Sequence, residues 1–391
     1  MNKNYLLIAV LMSVGMMTSC SSSDTEGNPT VGNPAVVNLN LGIKGTRASS
    51  TSALPTISND ITTGEGLVNA FMSGLFDANS STVTINTASQ TSITTTTQAR
   101  KIYVAANTAY TTADKALFAA CTSTTDFAGL KADLSYTTSA NGQDNSAKNT
   151  VNSQQMTGLP MFGKDENCFS SFATSNSSSI TVNLARLVAR IDLNSLKSDF
   201  ASTTTYPNAS FTVHEIFMYN VNDVCTDGGS DSQNTGLTES GTIGKCEQTN
   251  TSGAINTSLN DYAYLSSGAL TKAGTGTSPV VYLTSTTPFY FYVFPHSSTS
   301  PTKLVIKGLF KTSSGDAGTE LYYPIIINDA AMSSNPITDN DVITANHIYQ
   351  LDVTLKGRGV TDPSQNITPA TATVNFTVSG WATSPQTVVI Q

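Results

Sequence analysis

The chain has 391 residues, of which only 12% are charged, and its 19 basic and 27 acidic side chains give a formal net charge of −8. This acidic balance argues against a nucleic acid partner, because proteins that bind nucleic acids carry a basic face. The apolar residues are mainly β-branched or aromatic, and Ser, Thr and Asn replace the missing charges. The composition therefore favours an all-β protein, and the length allows about two domains.

The first 20 residues have the features of a lipoprotein signal peptide. Lys3 gives a positive start, and the apolar run Tyr5–Met17 is too short to span a bilayer as a helix. The run leads to Thr18-Ser19-Cys20, which is typical of a lipobox whose cysteine is acylated and becomes the new N-terminus. We therefore predict an outer-membrane lipoprotein precursor anchored through Cys20. An ordinary signal peptide with a chance cysteine is the alternative.

A strand and a loop follow the polar tether at residues 21–34. Apolar residues occupy every second position of the strand, and they are Val37, Leu39, Leu41 and Ile43. This period of two predicts a strand with one buried face. Arg47 and Ala48 come next, at the start of a Ser- and Thr-rich stretch that a trypsin-like protease would cut readily. An ordinary surface arginine is the alternative.

The middle of the chain predicts one helix and a pair of strands. Ala, Leu and Phe recur at helical spacing between Asp114 and Leu134, with Asp126 as a candidate cap. The apolar alternation changes phase between Leu184 and Leu187, which predicts two strands that meet at a bend. The charged residues on the opposite face of these strands are Arg186, Arg190 and Asp192.

Residues 222–272 read as an insertion rich in Gly, Ser, Thr and Asn, with little core of its own. Cys225 and Cys246 both lie in it, so a local disulfide is predicted, which would add about 3 kcal/mol in the chain-entropy account. Cys121 is expected to be a buried small hydrophobe. Since no Cys-x-x-Cys spacing occurs, the cysteines do not predict a zinc or redox site.

The final third returns to short apolar runs separated by turn residues, a spacing that predicts a β-sandwich. The runs are Val280–Leu283, Phe289–Phe294, Leu304–Phe310, Leu321–Ile327 and His347–Leu355. A last amphipathic strand alternates strictly, and its apolar residues are Ala372, Val374, Phe376 and Val378. A second short strand is predicted at Thr387–Ile390, after Trp381.

No constellation of residues predicts catalysis, a cofactor or a metal. The histidines are far apart in sequence, at His214, His296 and His347. The pairs Asp227 and Asp231, and Asp339 and Asp341, lack the full spacing of a calcium loop, and turn carboxylates in water explain them more simply. Trp381 and the aromatic strand Phe289–Tyr292 could stack on sugars, although alternating aromatics in a strand are usually core. We therefore expect no enzyme, and a glycan-binding surface protein and an extracellular hydrolase remain as rivals.

The amphipathic strands near the two ends of the chain and Arg47 together predict a mechanism of assembly. Cutting after Arg47 would free the segment 21–47, and departure of its strand would expose unpaired backbone and apolar pockets. The C-terminal strand of a neighbouring molecule could fill this groove by strand addition. Its four apolar side chains would contribute at most about 5–10 kcal/mol by area. Such head-to-tail filling does not close on itself, so it generates a filament.

Several short motifs resemble the Bacteroidetes-type (type V) fimbrillins, and their order along the chain is the stronger sign. They begin with the lipobox at Cys20 and with Arg47 after the first strand. Four longer motifs follow: Leu184–Asp192, Phe291–Pro295, Tyr322–Ile325 and Asn346–Leu355. The resemblance covers essentially the whole mature chain.

The resemblance implies two transthyretin-like β-sandwich domains, at 48–197 and 198–391, in an all-β fold with a minor helix. It also implies a structural subunit of a cell-surface fimbria that supports adhesion. Such a subunit would be exported as a lipoprotein, cut at the Arg47–Ala48 bond and polymerised with other fimbrial subunits. The displaced strand would be Val37–Lys44, and the donor would lie within Thr371–Gln391. A stalk subunit is expected, whereas the insertion at 222–272 leaves a tip or accessory role open.

Overall fold

The protein is built almost entirely of β-strands, which confirms the all-β prediction. The computed structural model describes residues 32–44, 61, 64–108, 112–133, 158–170, 176–221, 224–226, 280–283, 289–296, 301–333 and 339–380, and short strands between 244 and 274. These residues all belong to one compact unit, Gly32–Gln391. Within these ranges no helix has the length and apolar character needed to cross a membrane.

The N-terminal half forms one seven-stranded sheet in the order β3-β2-β5-β7-β8-β1-β4. Its strands are β1 (Pro34–Ile43), β2 (Phe71–Phe76), β3 (Thr82–Asn86), β4 (Ser92–Thr96), β5 (Lys101–Ala106), β7 (Met161–Asp165) and β8 (Ser177–Arg186), and the short β6 (Lys131–Asp133) lies outside this sheet. β8 pairs with β1 along most of its length and with β7 only at Ala185 and Arg186. The two edge strands also meet, because the Thr84 and Thr95 hydroxyls lie 2.9 Å apart. The sheet is therefore strongly curled, with its apolar face inward.

Two short helices replace the single predicted helix. They are α1 (Thr112–Ala119) and α2 (Thr124–Ala128). The prediction of Asp126 as the cap was wrong, because the Ser123 side chain accepts from the Asp126 amide and is the N-cap of α2. The Asp126 carboxylate instead accepts from the amide and hydroxyl of Thr122, at 3.0 and 2.7 Å. These bonds fix the turn that interrupts the helical pattern.

The helices place two phenylalanines in the N-terminal core. Phe118 of α1 and Phe127 of α2 make an edge contact with centroids 5.0 Å apart, and Phe127 also contacts Phe76 and Tyr103. Gly74 on β2 makes room for this cluster, since a Cβ there would lie 2.6 Å from the Phe76 ring. The helices thus cover the end of the core formed by β2 and β5.

The C-terminal half forms two larger sheets. The longer strands are β9 (Ala189–Ser198), β10 (Ser210–Val221), β17 (Val280–Leu283), β18 (Phe289–Val293), β19 (Lys303–Lys311), β20 (Thr319–Ile326), β21 (His347–Leu355) and β22 (Ala372–Gly380). One sheet has the order β17-β9-β21-β22 with β18 also on β9, and the other contains β10, β19 and β20. Tyr282 of the first sheet donates to the Phe211 carbonyl of the second at 2.7 Å, so the two sheets face each other across a shared core.

The insertion contributes strands rather than loop alone. Its short strands are β11 (Val224–Thr226), β12 (Gly244–Lys245), β13 (Gln248–Thr249), β14 (Ala254–Ile255) and β15 (Tyr264–Ser266), followed by β16 (Ala273–Gly274). β12, β15 and β16 pair with β10, which widens that sheet. β11 pairs with β6 and therefore links the two halves of the chain.

The predicted bend between two strands is confirmed at residues 187–188, where β8 ends and β9 begins. The pairing changes at the same place, because β8 pairs within the N-terminal sheet and β9 pairs with β17, β18 and β21. The predicted division at 197/198 falls at the end of β9. Two transthyretin-like domains stay a prediction, and we propose that their boundary is nearer to 187–188.

Candidate assembly site

The first strand is an interior strand of the N-terminal sheet. Its residues Val36–Ile43 run parallel to Ser177–Leu184 of β8, and Pro34–Asn38 run antiparallel to β4. Beyond the ladder, the Leu39 amide donates to the Thr91 carbonyl at 2.7 Å, and the Lys44 amide donates to the Leu184 carbonyl at 2.6 Å. β1 therefore uses backbone groups on both of its edges, unlike a strand at the rim of a sheet.

The predicted strand and its buried face are confirmed. The side chains of Val37, Leu39, Leu41 and Ile43 are all buried, and Ala35 continues the row. Burial of each of the four larger side chains contributes about 1.5–3 kcal/mol. The opposite face is polar, where the Asn38 and Asn40 amides each lie 3.4 Å from a serine hydroxyl of β8. This division between faces is the physical cause of the period of two.

The end of β1 is held by a residue from the far half of the chain. The Asn346 side-chain amide donates to the Lys44 carbonyl at 3.3 Å, and its oxygen accepts from the Arg186 amide at 3.4 Å. The Asn346 backbone amide donates to the Val188 carbonyl at 2.8 Å. Asn346 has a left-handed backbone, with φ of 58°, which Asn tolerates better than most residues. It thus joins the end of β1, the 187–188 bend and the start of β21.

The C-terminal strand lies in the chain's own fold. β22 pairs antiparallel with β21 over nine residue pairs, from Ala372 opposite Leu355 to Gly380 opposite His347. Of the predicted donor side chains, Ala372, Val374 and Phe376 are buried in the chain's own core, whereas Val378 is 42% exposed. The strand prediction is confirmed, and the donor role stays a prediction. Cys20, Arg47, Ala48, Trp381 and Thr387–Ile390 lie outside the described residues.

A buried ionic cluster lies where the N-terminal sheet ends. Glu65, in a 3₁₀ turn at Gly64–Gly66, accepts from Arg190 at 2.8 Å and from the Tyr292 hydroxyl at 2.6 Å through one carboxylate oxygen. Its backbone carbonyl accepts from Arg186 Nε at 3.0 Å. Asp192 accepts from Arg190 Nε at 2.7 Å. One short turn therefore ties the last residue of β8 to β9 and β18 of the C-terminal half.

Burial and the neighbouring charges shift the pKa values of this cluster in opposite directions. Burial alone would lower the pKa of the Arg190 guanidinium, but the charges of Asp192 and Glu65 raise it above its ordinary value. Burial lowers the pKa of Arg186 to about 10, and Glu65 opposes this shift. Burial and the nearby Glu65 charge raise the pKa of Tyr292 well above its ordinary value, so its hydroxyl remains a donor. Burial raises the pKa of Asp192 to about 6, and the charge of Arg190 opposes this shift. Two arginines and two acidic side chains thus share one buried site.

Sequence reasoning missed this cluster. It placed Arg186, Arg190 and Asp192 on the face away from the apolar residues, and all three side chains are fully buried. The covering turn is distant in sequence, so no local pattern predicts it. The available signal was an unusual density of charge, namely two arginines and an aspartate within seven residues of a chain that is only 12% charged.

The candidate chemical residues are not brought together. His214 pairs with Glu320 at 2.8 Å on the surface, the His296 backbone pairs with Ile343, and His347 Nδ1 lies 2.8 Å from the Ala345 carbonyl. No group of three or more metal-ligating side chains occurs in the part of the chain that the structure describes. Asp339 and Asp341 both sit in left-handed turn positions.

The sugar-stacking alternative is not supported at the aromatic strand. Tyr290, Phe291 and Tyr292 are all buried, so they offer no stacking surface.

The predicted burial of Cys121 is confirmed, and Cys225 is buried as well. Burial raises the pKa of the Cys168 thiol to about 12. Since Cys246 lies outside the described residues, the predicted disulfide between Cys225 and Cys246 stays a prediction. Asp227 and Asp231 also lie outside the described residues.

The comparisons with known proteins rest on structure. No family model and no curated protein matches the sequence. A candidate cell adhesion protein from Bacteroides eggerthii is 22% identical, with a TM-score of 0.56 over 91% of this chain and 98% of that one. A candidate cell adhesion protein from Parabacteroides distasonis is 16% identical, with a TM-score of 0.53 over 90% of this chain and 97% of that one. A fimbrilin from Porphyromonas gingivalis is also 16% identical, with a TM-score of 0.52 over 90% of this chain and 99% of that one. The all-β fold of this chain is therefore the fimbrillin-type fold.

Proposed function

We propose that the chain is a structural stalk subunit of a cell-surface fimbria and that it polymerises by exchanging β1 for a strand of a neighbouring subunit. The observation that carries this proposal is the position of β1, an interior strand with a fully buried apolar row. Lys44, the residue directly after this strand, is only three residues before Arg47. The fold is shared with a fimbrilin and with candidate cell adhesion proteins.

Removal of β1 would leave a groove between β8 and β4 that has unpaired backbone groups and open apolar pockets. β8 and β4 would each lose a backbone partner, and the pockets for Val37, Leu39, Leu41 and Ile43 would open. An unpaired edge of this kind is a template for another strand. A strand from a second molecule would regain the ladder and refill the pockets, and repetition of this contact gives a filament.

In this proposal the precursor is an outer-membrane lipoprotein anchored at Cys20, and a trypsin-like protease cuts it between Arg47 and Ala48. The donor lies within Thr371–Gln391. Because β22 fills the chain's own core, there are two versions of the exchange: β22 leaves β21, or the residues after Gly380 insert while β22 stays. Supporting adhesion is part of the proposed role, and the presence of both Arg47 and a C-terminal strand favours a stalk subunit.

The test is the N-terminal residue of material sheared from the cell surface. We expect the subunit to begin at Ala48, and an Arg47→Ala variant to remain as an uncut precursor that does not polymerise. An Arg358→Ala variant is the control for loss of an exposed arginine elsewhere. Polymers that begin at Cys20 and survive deletion of Thr371–Gln391 would exclude the proposal.

A further inference from the structure

The fate of β4 after removal of β1 decides whether an open groove exists at all. Within the described residues, β4 forms its ladder with β1 only. A short strand that loses its sole ladder partner could detach, or could move against β8 and close the gap. The other attachments of β4 therefore determine what an incoming strand meets.

The turn before β4 is fastened to β3 and β2. The Asn86 side-chain amide donates to the Gln90 carbonyl at 3.0 Å, and its oxygen accepts from the Ala88 amide at 3.1 Å. The Ser89 hydroxyl accepts from the Phe71 amide and lies 2.9 Å from the Phe71 carbonyl, to which it donates. None of these bonds involves β1.

The middle and the far end of β4 are fastened as well. The hydroxyls of Thr84 and Thr95 are hydrogen-bonded at 2.9 Å, and Thr95 is buried. After the strand, the Ala99 amide donates to the Thr96 carbonyl at 3.1 Å, and the Arg100 amide donates to the Phe76 carbonyl of β2 at 2.7 Å. β4 is thus held by the turn before it, by Thr95 near its end and by the turn after it, through contacts with β2 and β3.

We infer that β4 stays in place when β1 departs, so that the groove between β8 and β4 is preformed, and that Asn86, Ser89, Thr84 and Thr95 are positioning residues of its β4 wall. This inference rests on the proposed function, and it adds that the cut subunit accepts a strand without first rebuilding the sheet. A partner binds more weakly when the competent form is only partly populated, because its apparent dissociation constant is divided by that fraction. Contacts that keep β4 in place keep that fraction high.

The experiment uses the precursor cut after Arg47 and freed of its N-terminal fragment, titrated with a labelled peptide of residues 33–44. We expect single-step binding by the unmodified body. Ser89→Ala removes the bonds to Phe71 and should weaken binding about fivefold, a size typical of the loss of one or two hydrogen bonds. Thr94→Ala is the matched control, because Thr94 lies on β4 with an exposed side chain, and it should bind like the parent protein.

A reversible crosslink separates positioning from a general loss of stability. Thr84→Cys with Thr95→Cys places two thiols where the hydroxyls now touch, and its oxidised and reduced forms are compared in the same sample. Oxidation should leave peptide affinity within about twofold in the otherwise unmodified protein, and should restore the affinity lost in Ser89→Ala.

Two results overturn the inference. One is a gain of tenfold or more on oxidation of the otherwise unmodified protein, which would mean that β4 moves when β1 leaves. The other is unfolding or failure to bind the peptide once the fragment is removed. If instead the body binds the peptide as expected but purified cut subunits never polymerise, the inference stands and the proposed function fails.

Discussion

β1 and β22 have nearly the same sequence pattern but different places in the fold. Both alternate apolar and polar residues, and both lie near an end of the described chain. β1 lies between two strands, whereas β22 ends the order of its sheet and has its ladder with β21. Loss of β1 would expose two rows of backbone groups and a row of pockets, whereas loss of β22 would expose one edge of β21 together with the pockets of Ala372, Val374 and Phe376. The pattern therefore identifies a strand, and the position in the sheet determines what its departure would create.

The largest expected effect is a charge in the apolar row of β1. Leu41→Asp would bury a carboxylate that has no partner, so we expect the free energy of unfolding of the precursor to fall by about 4 kcal/mol or more. Asn38→Asp is the control, because Asn38 is exposed on the same strand, and it should change stability by less than about 0.5 kcal/mol. Urea denaturation measures both. Equal effects would mean that β1 is not docked by its apolar face.

The corresponding test of β22 is Phe376→Ala in the isolated precursor. Because Phe376 is buried in the chain's own core, we expect a loss of about 3–5 kcal/mol. Val378→Ala is the control at an exposed position of the same strand and should have little effect. A precursor whose stability is insensitive to Phe376→Ala would show that β22 is already detached from β21 before assembly.

The ionic cluster tests whether the regions that hold β1 and β22 depend on each other. Glu65→Gln would leave two buried arginines with one carboxylate between them, and we expect a loss of about 3–5 kcal/mol. Glu166→Gln removes a carboxylate that is 44% exposed beside Lys101 and Lys164, and should cost less than about 1 kcal/mol. Separate unfolding transitions for the two halves of the Glu65→Gln variant would support the cluster as their link. A loss below about 1 kcal/mol would contradict its structural role.

The smallest expected effect concerns the end of β1. Asn346→Gly keeps the left-handed backbone but removes both side-chain bonds, and we expect release of the cut N-terminal fragment that ends at Arg47 to become about fivefold faster, as for loss of one or two hydrogen bonds. Asn346→Asp keeps the acceptor for the Arg186 amide and removes the donor to Lys44, so it isolates that contact. Unchanged release rates in both variants would mean that Asn346 does not retain β1.

Strands with one buried face could be predicted from the sequence, because the alternation of their residues records that face directly. This holds for β1, for the bend between β8 and β9, and for the later strands of the C-terminal half. β3 and β4 were missed because their Ser, Thr and Asn residues give weak apolar alternation. Their places are set by side-chain bonds such as Thr84 to Thr95, which only the folded chain brings together.

The strands of the candidate site could be predicted from the sequence, but the contacts between residues that are distant in sequence could not. The sequence identified the apolar row of β1 and the pattern of β22, since both are local. It could not show that Asn346, some 300 residues away, contacts Lys44, or that Glu65 accepts hydrogen bonds from two arginines on later strands. It also could not distinguish a strand that fills its own core from one that is available to a neighbour, because both carry the same alternation.

The most direct test of strand exchange uses a photoreactive residue in place of Thr181 on β8, which lies opposite Asn40 of β1. In the uncut precursor the crosslink should join this position to β1 of the same chain. In assembled fimbriae made from mixed isotope-labelled subunits, mass spectrometry should find it joined to residues 371–391 of a different chain. A crosslink to β1 of the same chain in the assembled polymer would contradict the exchange.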